Sequence, residues 1–436
     1  ILFSVTLFSQ EMPKENRFYN PFSKDISLGP GTLSLGGSLR FRYEYMNNYS
    51  LVKYGTKTSD DVLYERVMLN FRYKTKHNIN FFLEVYDAHF RLNEYSAEDF
   101  SGACSHQNPF DLKQLFIEIN PIPGIPVGFK VGRQEISYGD TRIWGPGHWS
   151  NSGKYNWDAV KLFLNVDVFN LDILYGKRLI ADPEKIDMDH YPFQSGGLYM
   201  TLKKLPFMLD LFYVGKLDRR DSTKGESGYG KLFLNTIGSH IKGGINKFDY
   251  KATAAGQVGK YGKDDAAAYA VNVFLGYIIE ERFQSRLMLG YTYANGDKEP
   301  DDGRHQTFDG VFGAVAQYYG RMNKFFWMNI HDLQADFSIK PLKKISALVS
   351  YHYFCLVQSK DAWYDTSGKP HKNRIDKTGK SGTDLGQELD LIISTAVNKN
   401  IKIQIGYAHF FPGNFIKNTG NGDPADWAYA QTALSF

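Results

Sequence analysis

The chain has 436 residues, with 51 Lys and Arg against 47 Asp and Glu, a formal charge of +4 that is small for this length. No dense basic block with interleaved aromatics occurs, which excludes a nucleic-acid binder. Mean hydropathy is negative and no run of about twenty apolar residues follows the first ten positions, so no helix is expected to span a membrane. Aromatics are nevertheless abundant, with 29 Tyr and 32 Phe. A polar average with many aromatics fits a transmembrane β-barrel, whose strands are apolar on one face only, and equally a soluble β-sandwich or solenoid.

Taken in order, residues 1–10 resemble the end of a secretory h-region and its polar flank, which would send the protein out of the cytoplasm. Residues 11–30 then form an N-terminal periplasmic segment, and 31–436 the main domain. From Gly31 the pattern is alternation. Leu33, Leu35, Leu39, Phe41, Tyr43 and Tyr45 interleave with Ser34, Ser38, Arg40, Arg42 and Glu44, a strand with one greasy and one wet face. Val67, Leu69, Phe71 and Tyr73 repeat it against Arg66, Asn70, Arg72 and Lys74, and a third strand follows from Ile79. Fifteen more segments are expected near 111–120, 127–137, 156–165, 167–179, 195–204, 206–217, 232–242, 246–258, 265–278, 282–294, 326–340, 344–357, 385–397, 400–411 and 426–436, about eighteen strands in all.

The connections alternate between short and long. Lys76-His77-Asn78, Asn165-Val166-Asp167, Lys203 to Pro206, Lys340 to Lys343 and Asn398-Lys399-Asn400 are tight turns. Long stretches lie near 94–110, 138–155, 180–194, 218–231, 295–325, 358–384 and 412–425. Such sorting places the long loops at one end of an antiparallel barrel, with short periplasmic turns at the other. Eighteen strands enclose a water-wide bore. By alternation Arg40, Arg42, Arg66 and Arg72 line one wall of it and Glu388 and Asp390 another, so the bore has a positive and a negative side. Guanidinium forks suit carboxylates and phosphates, and an arginine wall favours anions.

The stretch Gly132 to Leu162 joins two strands through a loop rich in Gly, Trp and charge. It is too polar for a core and too aromatic for a tether, so it is expected to fold into the bore and narrow it. Trp144, Trp149 and Trp157 would stack on sugar rings or anchor the loop to the wall.

Gly132-Arg133-Gln134-Glu135, then Tyr138-Gly139-Asp140, Arg142, Gly145-Pro146, Trp149-Ser150-Asn151 and Asp158-Ala159-Val160, resembles the bacterial alginate-export family of outer-membrane porins. Gly386-Gln387-Glu388-Leu389-Asp390, Gly406 to Gly413 and Asp426-Trp427-Ala428-Tyr429 are similar to it as well. The resemblance spans about Leu33 to Phe436. It implies a monomeric eighteen-stranded barrel in the bacterial outer membrane, with a cationic constriction through which an anionic polysaccharide leaves the cell, and periplasmic export components as partners. Carried over by position, Arg133, Asp140, Arg142, Lys154, Asp158 and Lys161 become constriction or loop-anchoring residues. The bore inferred from the residues is mixed in charge, a departure from a wholly basic lining.

Enzyme signatures are missing: no Gly-x-Ser-x-Gly elbow, no His-Glu-x-x-His and no Cys-x-x-Cys occurs. A hydrolase could still assemble Ser and His across strands. Cys104 and Cys355 are expected to be free thiols. The loops 295–303 and 418–423 carry Ca²⁺-type oxygen donors, but their spacing fits no twelve-residue calcium loop, so no cofactor is expected. The sequence thus points to a passive channel for an anionic polysaccharide or another anionic solute. An uptake porin for small solutes is the alternative within the fold, and a plugged barrel serving as adhesin or anchor the alternative outside transport.

Overall fold

The computed structural model describes residues 24–48, 59–91, 106–153, 155–182, 185–187, 193–316 and 318–436. The expected leader, most of the 11–30 segment, Cys104 and Lys154 lie outside these residues; Cys355 is a free thiol. The strands are β1 (Lys24–Leu28), β2 (Gly31–Asn47), β3 (Ser59–Thr75), β4 (Ile79–Arg91), β5 (Asn108–Ile119), β6 (Val127–Gln134), β7 (Asn156–Asn165), β8 (Phe169–Leu179), β9 (Phe193–Leu202), β10 (Met208–Gly225) and β11 (Gly228–Ile245). There follow β12 (Phe248–Tyr261), β13 (Asp264–Glu280), β14 (Ser285–Ala294), β15 (Arg304–His305), β16 (Ile330–Leu342), β17 (Ile345–Cys355), β18 (Ala362–Tyr364), β19 (Pro370–Ile375), β20 (Asp384–Ala396), β21 (Ile401–Pro412) and β22 (Ala425–Ser435), with one short helix, α1 (Asn414–Thr419).

Eighteen of these strands close an antiparallel ring, and each overlaps one of the eighteen expected from alternation. Neighbours in sequence are neighbours in the wall, apart from β15 and the small β18–β19 pair, which belong to outer loops. The ring is sealed where β22 pairs with β2 from Ser38↔Ser435 to Asn47↔Asp426. β1 continues that same edge of β2, pairing Leu28↔Gly31 through Lys24↔Leu35. The backbone of Phe436 bonds Gly37 in both directions, at 2.9 and 3.0 Å, which fixes the last residue at the seam.

Period-two sequence sorts side chains across the wall. On β2 the residues from Ser38 to Met46 at even positions are buried or half-buried, while Phe41, Tyr43 and Tyr45 are exposed. The exposed set around the ring is Leu115, Ile117, Val160, Leu275, Leu289 and their like, a surface that only hydrocarbon would cover without cost. Tyr43, Tyr45, Tyr175, Tyr269, Tyr291 and Tyr351 stand outward near the loop ends of their strands, at the depth where amphipathic rings meet the membrane interface.

One expected loop is strand. Residues 218–231 form the upper part of a hairpin: β10 and β11 run on to a two-residue turn at Glu226 and Ser227, with Thr223↔Gly230 and Gly225↔Gly228 still paired. The β12–β13 turn at Gly262 and Lys263 is equally tight. Above the hydrocarbon a strand has no apolar face to display, so the alternation fades while the ladder continues.

Candidate functional site: the bore and its constriction

The loop between β6 and β7, residues 135–155, folds into the bore as its composition suggests. A second loop, residues 295–329 between β14 and β16, joins it there. Phe312 N donates to the Ile143 carbonyl (3.1 Å), Gly145 N to the Phe312 carbonyl (3.0 Å) and Ala314 N to the Thr141 carbonyl (2.9 Å). Trp144 is 1% exposed and Phe312 0%; Trp157 stands edge-on to Phe312 with centroids 4.7 Å apart. The wall makes room for Trp144 with Gly197, where a Cβ would come within 2.6 Å of the indole.

The pair of loops forms a cross-piece pinned at both ends. On one wall, Lys216 Nζ donates to both oxygens of Asp309 at 2.8 Å and Gln257 exchanges bonds with the Asp309 backbone. On the opposite wall, Met322 N donates to Glu388 (2.8 Å) and Arg321 N to Asp390 (3.3 Å). Glu388 and Asp390 are 0% and 1% exposed, so they hold the loop and do not face open solvent.

The arginine wall is also engaged. Arg40 Nη2 donates to Asn151 Oδ1 (2.9 Å), Arg66 Nη1 to the Asn151 carbonyl (3.3 Å) and Arg42 Nη1 to the Trp149 carbonyl (2.8 Å). Arg42 further meets Glu44 at 2.6 Å, so an acid of the same wet face stands at the centre of the arginine wall. Arg72 lies below this cluster, 5.7 Å from the Phe82 centroid.

Arg142 sits on the cross-piece, bonded to Asp140 at 3.1 Å and boxed by Tyr318, Phe274 and Tyr319 at 4.3, 5.0 and 5.1 Å. Burial opposes its charge, yet the Tyr319 and Asp140 oxygens hold the guanidinium above its ordinary range. Burial pushes the Asp140 carboxyl up, and Arg142, His240 and Lys251 together bring it below its ordinary range. Lys161 points into the bore and donates to Asp172 (3.0 Å), the carboxylate that also accepts the Tyr138 hydroxyl (2.6 Å). Beside it Lys130 lies over the Phe116 ring at 3.6 Å.

Two of the expected constriction residues are on the other side of the wall. Arg133 pairs in register with Leu115 and Asp158, two residues along from Val131↔Val160 and so on the same face. Paired residues share a face, and Leu115 and Val160 are exposed outward. Arg133 and Asp158 therefore bond each other (2.9 Å) on the outer face, near the loop end. The shared motif kept them together for the wall and not for the passage. Trp144, Trp149 and Trp157 anchor loop to wall: Trp149 meets Trp427 and Tyr429 edge-on at 5.9 and 5.2 Å.

The second in-folded loop went unread in sequence. Its signal was present: Phe308, Val311, Phe312, Tyr318, Tyr319, Phe325, Phe326 and Trp327 are far too apolar for a solvated loop. Residues 326–329, expected as strand, belong to this loop, and β16 begins at Ile330.

Two further clusters bear on chemistry. His352 lies 3.1 Å from Ser350 Oγ and 2.9 Å from Asp332, the residue types of a hydrolase triad assembled across strands. The Ser350 hydroxyl turns to Asp336, and Ser350, His352 and Asp332 are 3%, 1% and 0% exposed, which shuts the row from any substrate in this conformation. At the outer rim Glu226, Asp297 and Asp302 bring carboxylate oxygens within 4.8 Å of one another, donors suited to a hard cation.

The profile of a family described as alginate export matches residues 32–427. Among solved structures, OccD3 (OpdP) of Pseudomonas aeruginosa aligns with a TM-score of 0.60 at 11% identity, over 96% of this chain and 95% of that one. OccAB2 of Acinetobacter baumannii aligns with a TM-score of 0.63 at 11% identity, over 93% and 98%. OpdQ of Pseudomonas aeruginosa gives 0.59 at 11% identity, over 93% and 98%. At such identity these likenesses speak for the fold alone. No curated protein matches the chain.

Proposed function

The chain belongs to the alginate-export family and is an outer-membrane β-barrel channel, and on that premise we propose that it passes an anionic polysaccharide, or another anionic solute, passively through its loop-narrowed bore. The observation that carries this reading is the placement of Lys130, Lys161 and Arg72 on the bore wall below the cross-piece. An anion coming up the bore meets these cations before it meets the apolar loops. Focusing by a low-dielectric wall raises local anion concentration without a dedicated binding pocket. Passage needs no covalent step and no cofactor, and one chain with one bore suffices as a monomer.

Planar-bilayer recording tests the reading. Anion-selective current that polyuronate blocks is the expected result; current insensitive to polyuronate but blocked by a small solute transfers the function to an uptake porin. A specific feature favours a further reading, the plugged anchor: the contact between the two loops is dry and aromatic, with Trp144, Phe312 and Trp327 at most 1% exposed. A barrel that inserts and gives no current at any voltage supports that alternative.

A further inference from the structure

The two mouths of the barrel differ in charge. The eight short turns with their flanking strand ends are residues 74–78, 120–126, 166–168, 203–207, 242–247, 280–284, 340–344 and 397–402. They carry twelve Lys and Arg against three acids, Asp167, Glu280 and Glu281. The cations occur at six of the eight turns; the two without them, 120–126 and 166–168, are neighbours, so the cations form an arc that is open on that side. Lys76, Lys247, Lys343 and Lys399 are exposed on them. At the opposite mouth, among the described residues, both signs are present and several of them pair. Lys360 meets Glu299 at 2.8 Å, Lys377 meets Asp301 at 3.3 Å and Arg220 meets Asp218 at 2.6 Å.

Successive turns are two strands apart, about 10 Å along the wall, which is close to one Debye length at about 0.1 M salt. Across the five consecutive turns from 203–207 to 397–402 the fields therefore overlap into one positive arc. The positive charge continues inward: Lys74, Lys242 and Lys402 stand at the mouth on the bore-facing register, and Arg72, Lys130 and Lys161 follow above them toward the cross-piece. Short turns face the periplasm in barrels of this kind.

We propose that this lysine arc is a capture site for the carboxylates of a polysaccharide chain at the periplasmic mouth. The proposal rests on the reading of the barrel as an anion channel and adds a site to it. A flexible polyanion suits an arc of solvated ammonium groups better than a small solute does. It lays several charges across neighbouring turns at once, and the second and later contacts are intramolecular.

The test is one-sided block of the full-length protein, inserted in a planar bilayer of neutral lipid with its orientation established by protease access to the outer loops. Polymannuronate is added to either chamber at about 0.1 M and 1 M salt. The expected blocking on-rate is about tenfold higher from the turn side at low salt, and about equal from both sides at high salt. The triple variant Lys247→Gln, Lys343→Gln, Lys399→Gln should still insert and form channels, and lose most of the asymmetry. Equal on-rates from both sides in the native protein overturn the capture site and leave the anion channel standing. Asymmetry that survives the triple variant overturns it too, and assigns these lysines to the phosphates of the adjacent leaflet. Absence of block from both sides removes the polysaccharide reading itself.

Discussion

The Arg42 guanidinium lies 4.2 Å from the Trp149 ring centroid while donating to the Trp149 carbonyl at 2.8 Å and meeting Glu44 at 2.6 Å. One wall residue thus grips both the ring and the backbone of the constricting loop, and neutralises the acid beside it. Arg42→Ala is expected to leave Glu44 buried with Trp427 Nε1 as its remaining donor and to cost about 3 kcal/mol. The loss should show as a lower unfolding midpoint in detergent and as larger current fluctuations. Arg42→Lys keeps the charge but lacks the planar fork, so it should recover less than half of the midpoint. Full recovery by lysine would mean that the stacking is unimportant.

Arg133 faces away from the bore, and this separates it from the lysines below the cross-piece. Arg133→Glu should leave the reversal potential in a salt gradient unchanged. It places a second acid beside Asp158 (now 2.9 Å from Arg133) and so weakens the outer rim. Lys130→Glu with Lys161→Glu should shift the reversal potential toward cations, because two positive bore charges become negative. A shift of equal size in both variants would contradict the register that puts Arg133 on the face of Leu115.

Gly197 is the seat of Trp144. A leucine there would drive side-chain carbons into an indole that is already 1% exposed, and overpacking of this kind costs about 1–3 kcal/mol. The indole is held by Phe312 and Trp157, so relief must come from movement of the cross-piece. Gly197→Leu is expected to raise single-channel conductance, or to open a channel otherwise silent. A variant that is merely less stable, with unaltered conductance, would show that the cross-piece yields elsewhere.

The strands were legible because lipid outside and water within impose period two on every residue between them; Leu69, Phe71 and Tyr73 against Asn70 and Arg72 needed no further information. Where that constraint ends, legibility ends. The upper halves of β10 and β11 are strand without alternation, since both faces there are wet. Facing could be misjudged one residue from correct: Lys161 is in the bore, Asp158 three positions earlier is outside it, and a shared motif carries both. The loop from Thr307 to Asn329 reads as outer loop as far as 325, because its length suits one, and as strand from 326, although its aromatics argue for burial within the bore. Depth along the bore and partners across it, such as Lys216 with Asp309, are properties of closure and have no trace in local sequence.

Asp187 and Asp111 tie an outer loop to the end of β5 through two carboxylates. Asp187 N donates to both oxygens of Asp111 at 3.3 Å, and Asn108 Nδ2 lies 3.0 and 3.1 Å from one oxygen of each acid. Burial, and then the Asp111 carboxylate beside it, push the Asp187 carboxyl up to about 7. An acid whose pKa is raised by folding is protonated in the native state where the unfolded chain has already lost the proton. Its stabilising share is therefore complete below the ordinary aspartate range, declines as pH rises from there, and is gone above about 7. Hydrogen exchange at Asp187 and its backbone neighbours should be slow at pH 5 and faster at pH 8.5, beyond the intrinsic base dependence of exchange. Asp187→Asn supplies the protonated form's donor at every pH, so its corrected protection should be flat across that interval. If the variant keeps the native pH dependence, the titrating group lies elsewhere and the carboxylate pair is not the latch.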